Sequence, residues 1–142
     1  MALNIEERQQ FLAEPHIAAI AIDSGSPERA PLVVPIWYQY TPGGDIWILT
    51  GADSRKDKLI KAAGRFTLLV ERITPTVRYV SVEGPVTDRT AGTHDQVVEM
   101  ASRYLPAEKV DGYVAMATRD HGEEVVYRMR PQRWVSSDLG AF

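Results

Sequence analysis

Between residues 16 and 137 the chain alternates short strand-like runs with turn-rich stretches, and several runs are apolar on both of their alternating faces. A strand of that kind needs cover on two sides, so the fold must supply two layers around it. HIAAIAID, residues 16–23, is the clearest example and is closed by the turn-rich SGSPERAP. LVVPIWYQY follows at 32–40. Its Pro35 has no N–H to give to a ladder, which predicts an edge, a bulge or a ligand-facing break in mid-strand. TPGGD then makes a turn into DIWILT, completing a hairpin. RFTLLVER, residues 65–72, sets Phe66, Leu68 and Val70 on one face. TVRYVSVEGPV, residues 76–86, separates Val80 and Val82 from Tyr79, Ser81 and Glu83, and the second face is too polar to be plain core. EVVYRMR and QRWVSS, on either side of Pro131, read as the last two strands.

Helices interrupt this pattern. Asn4 followed by Glu7 is a capping box, and the helix it opens should stop by Glu14 because Pro15 disfavours helical geometry before it. A basic helix is expected over 54–63, with Gly64 at the C′ position. Thr93 and Gln96 form a second capping box for an amphipathic helix over 93–105, and a further helix is read over 107–118 with Gly112 inside it. The expected architecture is mainly β with helices: one domain, residues 1–142, built as an antiparallel barrel of six to seven strands. A helix or a second copy of the chain would cover the outer strand faces, and a homodimer is the simplest arrangement.

The chain has no cysteine, which excludes disulfide scaffolds, thiolate zinc sites and cysteine nucleophiles. A net charge of −3 argues against a nucleic-acid or membrane-surface binder, so any basic site must be local. The N-terminus lacks the features of a secretory signal and no stretch approaches a membrane span, so a cytoplasmic protein is expected. There is no G-x-S-x-G elbow, no G-x-G-x-x-G and no Walker A loop. His16, His94 and His121 have no metal-binding spacing, and no metal site is expected. No acid–base constellation stands out, so no catalytic residue is assigned.

One stretch does stand out. In GADSRKDKL, residues 51–59, Arg55, Lys56 and Lys58 crowd a helix N-terminus, the end where cations are least favoured. One reading is a solvated helix start whose cations are partly neutralised by Asp53 and Asp57. The other is an anion site: Ser54 caps the helix, free backbone N–H groups point outward, and Arg55, Lys56 and Lys58 hold phosphate oxygens. The basic helix directly follows DIWILTG and lies beside the Pro35-Ile36-Trp37-Tyr38 break, where Trp37 and Tyr38 offer either aromatic surface to a flat ring or ordinary packing.

Taken in order, PIWY at 35–38, SRKDKL at 54–59, RYVSVEGPV at 78–86 and RPQRW at 130–134 resemble the pyridoxamine 5′-phosphate oxidase-like split β-barrel family, across nearly the whole chain. In that family the SRK helix start holds the phosphate of flavin mononucleotide (FMN) or of the deazaflavin coenzyme F-420. The resemblance implies this role for Ser54, Arg55 and Lys56, with Lys58 on the same turn. Tyr79 stands where the oxidases have a flavin-contacting Gln, and Ser81 replaces an Arg. The sequence ends eight residues after Trp134, so the tail that shapes the oxidases' substrate pocket is expected to be missing. These departures look more like the flavin/deazaflavin oxidoreductases.

The resemblance therefore implies an FMN-binding-type split barrel, a homodimer with the cofactor between two chains, and a hydride transfer between reduced F-420 and an unsaturated small molecule. Pro35 to Tyr38 with Leu49, Thr50 and Gly51 would orient the ring, while Tyr79, Arg130 and Trp134 would close the site from the partner. FMN is the alternative cofactor, and a non-catalytic cofactor carrier or haem binder is the alternative from another class.

Overall fold

The computed structural model describes residues 1–120 and 122–140, so the expectation for His121 lies outside the described residues. The first helix, α1 (Ile5–Ala13), opens on the Asn4–Glu7 capping box, with both reciprocal bonds formed. The strands β1 (Ala18–Ile22), β2 (Leu32–Ile36), β3 (Gln39–Tyr40) and β4 (Ile46–Gly51) lead into α2 (Arg55–Ala63). Then come β5 (Arg65–Arg72), β6 (Arg78–Ala91), the helices α3 (His94–Tyr104) and α4 (Ala107–Asp120), β7 (Glu124–Met129) and β8 (Arg133–Asp138). All the expected strands are present. The run LVVPIWYQY is divided into β2 and β3 at Trp37–Tyr38, which brings the described strands to eight.

All strand pairs are antiparallel, and they form a half-barrel in which β6 belongs to both halves. Its first part, from Arg78, pairs with β5 on one side and β8 on the other, in the order β2-β1-β5-β6. Its second part, beyond an irregularity between Val86 and Asp88, pairs with β7, which continues to β4 and β3. This is why β6 runs for 14 residues, past the end expected at Val86. A bulge bends the strand and increases its twist, which turns one half-sheet toward the other. Gly84 sits just before the bend: a Cβ there would lie 1.8 Å from the Arg130 carbonyl oxygen, so only glycine permits the close approach of the chain after β7.

The inward faces are those the alternation indicates. Phe66, Leu68 and Val70 of β5 and Val80 and Val82 of β6 are buried with Ile20, Ile22, Ile46 and Ile48, and α1 adds Phe11 and Leu12. The strand β4 is buried on its second face too, because Trp47 packs with Met100 of α3 and Val126 of β7. A helix thus supplies the outer cover there. Among the described residues nothing covers the outer face of the other half-sheet in this way: Val33 on β2 and Val135 on β8 remain 60% and 63% exposed. Pro35 lies on β2, the edge strand, opposite Ala19, one of the positions in a sheet where proline is tolerated. No helix among the described residues is long and apolar enough to cross a membrane.

Candidate functional site

The strand β4 ends at Gly51 and a tight turn carries the chain into α2, with the Ser54 amide donating to the Gly51 carbonyl at 3.1 Å. Asp53 adopts a left-handed conformation in that turn, φ 63°, which Asp tolerates better than most residues. Ser54 is the N-cap: its Oγ accepts from the Asp57 amide at 3.2 Å and lies 3.2 Å from the Thr50 hydroxyl. The amides of Arg55 and Lys56 come too early in the helix to have an intrahelical acceptor. The helix ends at Gly64 with φ 71°, the left-handed C-cap that its glycine permits.

Asp57 is the residue that sequence reasoning misplaced. It does not neutralise the cations of its own turn; it points into the fold and is fully buried. Arg89 of β6 donates to its two oxygens at 3.0 and 2.8 Å, the Asp53 amide donates at 2.9 Å, and the Tyr127 hydroxyl donates to Oδ1. The Arg89 guanidinium, the largest cause, holds the Asp57 carboxyl well below the usual carboxylate range. Burial first, and then the bond to Asp57, pushes the Tyr127 hydroxyl up to about 12, so it stays a proton donor. Among the described residues no carboxylate pairs with Arg55, Lys56 or Lys58. The site is therefore a helix N-terminus with unpaired cations and its only first-turn acid removed.

Beside it opens a cleft of about 370 Å³, within the range of small-molecule and cofactor sites. Seven of the expected residues line it: Ile36, Trp37, Leu49, Thr50, Gly51, Ser54 and Lys56. Trp37 forms one wall, stacked on Tyr104 at 4.7 Å between ring centroids and tilted against Tyr113 at 5.2 Å. Val97 and Met100 of α3, Tyr113 of α4 and Glu124 of β7 complete the lining. Sequence reasoning missed these four. The amphipathic pattern of α3 was visible, but not which surface its apolar side would meet.

The remaining expected residues stand elsewhere. Arg55 and Lys58 are exposed on α2, beside the cleft's basic end. Tyr38 does not face the cleft. Its ring is fully buried, its hydroxyl donates to the Leu12 and Glu14 carbonyls, and its amide donates to the Tyr104 hydroxyl at 3.1 Å. Burial raises its pKa accordingly. Pro35 lines a shallow groove on the outer sheet face with Ile17, Val33 and Leu69. Tyr79 projects from the same outer face of β6 as Ser81, and Arg130 and Trp134 border a separate depression with Tyr40 and Asp45. Within one chain these three do not reach the cleft. His16 donates from Nε2 to the Phe11 carbonyl, 3.0 Å away, and among the described residues no cluster of three metal-binding side chains occurs.

No protein-family model matches the sequence, and no curated protein matches it. Solved structures do. The conserved hypothetical protein Rv2991 of Mycobacterium tuberculosis is 23% identical, with a TM-score of 0.73 over 97% of this chain and 86% of that one. A structure described as an F420 reductase is 23% identical, with a TM-score of 0.68 over 89% of this chain and 94% of its own. HutZ, the haem storage protein of Vibrio cholerae, is 13% identical, with a TM-score of 0.61 over 99% and 98%. At these identities the likeness concerns the fold, and the fold shared is a mainly antiparallel split barrel.

Proposed function

We propose that this chain binds the phosphorylated deazaflavin coenzyme F-420 in the cleft and acts as an oxidoreductase of the pyridoxamine 5′-phosphate oxidase-like family. The observation that carries the reading is the junction of two unlike surfaces: the unpaired basic start of α2, with Ser54 and Lys56, and the aromatic and aliphatic wall of Trp37, Leu49 and Met100. A ligand with a flat ring and an anionic arm matches both ends at once. An F420 reductase is among the proteins with this fold, which supports the choice of cofactor class.

The donor set suits the group. First-turn amides, the Ser54 hydroxyl and the three cations of α2 would hold phosphate oxygens through charge-assisted hydrogen bonds. Arg55 and Lys58, exposed at the rim, extend that field toward a longer anionic tail, which favours F-420 over FMN. FMN remains the second reading, because its phosphate would use the same groups. The bound coenzyme would supply hydride chemistry to an unsaturated organic substrate. The protein's part is binding and exclusion of water: Val97, Met100 and Leu49 line the ring end with apolar surface.

The outer half-sheet face is read as the surface of a homodimer. The register aligns Pro35, Ala19, Leu69, Ser81 and Val135 in one row across five strands, a flat band of small and apolar side chains. A second copy would cover it and bring Tyr79, Arg130 and Trp134 of the partner subunit toward the cofactor.

The test begins with the absorption spectrum of the purified protein and fluorescence titration with F-420 and with FMN. Tight F-420 binding with oxidation of the reduced coenzyme by an enone, a quinone or a tetrapyrrole is expected. Tight binding with no turnover across that panel would instead assign the chain as a carrier. Failure of both cofactors to bind overturns the reading.

A further inference from the structure

We propose that Arg89 is a positioning residue for anion binding: by holding the Asp57 carboxylate inside the fold, it leaves the first turn of α2 open to a phosphate. The inference rests on the phosphate reading of the site above.

Asp57 is the N3 residue of α2, two positions beyond the free amide of Arg55. A carboxylate there normally stays at the helix N-terminus, competing for the same field that would attract an anion. Here both oxygens are taken up, by groups from β6 and β7 and by the amide of Asp53 just before the N-cap. Its Oδ2 accepts from the Asp53 amide and from Arg89, and its Oδ1 accepts from Arg89 and from the Tyr127 hydroxyl. Arg89 comes from β6, 32 positions along the chain, and its own side chain is only partly buried.

Two consequences follow for an anion. The charge of the one acidic residue in the first turn of α2 is matched by a cation, so its repulsion of an anion is largely cancelled. Arg55, Lys56 and Lys58 are also left without an internal carboxylate to fold onto. Removing Arg89 while keeping Asp57 reverses both: the carboxylate then faces the amides and cations of its own turn, and it competes with the ligand for them. Removing the Asp57 charge while keeping Arg89 has the opposite sign, since it leaves one more positive charge near the site. A network that served only to hold the fold together would weaken binding in both variants alike.

The experiment compares phosphorylated and phosphate-free forms of each chromophore, FMN against riboflavin and F-420 against its deazaflavin ring fragment without the phosphate tail, at low ionic strength where the charges are least screened. The expected result for Arg89→Met is a loss of at least about fivefold in affinity for the phosphorylated form with less than about twofold change for the other, the size expected for one charge at a helix N-terminus. Arg89→Lys should retain the phosphate preference, Asp57→Asn should keep or increase it, and the pair Asp57→Asn with Arg89→Met should restore it. Equal losses for both forms in Arg89→Met, or no restoration in the double variant, overturn the proposal. The parent reading fails separately: a wild-type protein with no phosphate preference removes both, whereas a preference abolished by Arg55→Ala with Lys56→Ala but untouched by Arg89→Met removes this inference alone.

Discussion

Arg89 grips Asp57 with two hydrogen bonds, 3.0 Å to one carboxylate oxygen and 2.8 Å to the other, and so ties the last part of the longest strand to the first turn of the helix that carries the basic cluster. Asp57 is fully buried and has partners on both oxygens, so its loss should be felt in stability. Replacement by Asn leaves at least one donor facing the wrong group and is expected to cost about 1–3 kcal/mol in urea unfolding.

The same pair sets an acid limit. The carboxyl of Asp57 is depressed in the folded chain by Arg89, so its contribution is fully present above the ordinary carboxylate range near pH 4 and is lost as pH falls through the lower folded value. The stability difference between the wild type and Asp57→Asn should therefore be constant above about pH 5 and shrink below pH 4. A difference that stays constant down to pH 2 would contradict the assignment of that proton.

Arg55→Ala with Lys56→Ala should weaken F-420 or FMN binding by more than about tenfold, since each charged hydrogen bond contributes roughly 1.5–3 kcal/mol. Both side chains are solvent-accessible and unpaired among the described residues, so the thermal midpoint should hardly move. Fluorescence titration and a melting curve on the same sample separate the two effects. Unchanged affinity would remove the phosphate site from α2.

Gly84→Ala places a methyl group 1.8 Å from the Arg130 carbonyl oxygen, a backbone atom that cannot turn aside. Overpacking of this kind costs about 1–3 kcal/mol where neighbours can yield, and this neighbour yields only if β6 and the chain after β7 separate. The variant is expected to unfold at markedly lower urea, with faster amide exchange in the second part of β6. Wild-type stability would show that the crossing is looser than the close approach indicates.

Val33→Glu with Val135→Glu tests the outer sheet face. Both residues are exposed in the single chain, so the fold of each copy should survive. Light scattering is expected to give twice the chain mass for the wild type and the chain mass for the variant. A wild-type monomer would remove the dimer from the reading.

Much of this was legible along the chain because its causes are local. The caps at Asn4, Ser54 and Thr93 each depend on a partner three residues away, and all are formed. The inward faces of β5 and β6 follow from the two-residue period of a strand. The absent N–H of Pro35 made an edge strand one of its legible positions, and the division two residues later, at Trp37–Tyr38, falls where the chain passes from one half-sheet to the other.

The pairings between distant segments were not legible. Neither the charge pattern of GADSRKDKL nor any spacing indicates that Asp57 turns inward to Arg89, or that Tyr38 is buried while its neighbour Trp37 lines the cleft between Tyr104 and Tyr113. Residue types and their local order decided that there would be a capped basic helix start beside an interrupted aromatic strand. Which of its charges remained free was decided by the bend of β6 that delivers Arg89 under α2, because a buried carboxylate is stable only against a cation whose position depends on the closed half-barrel.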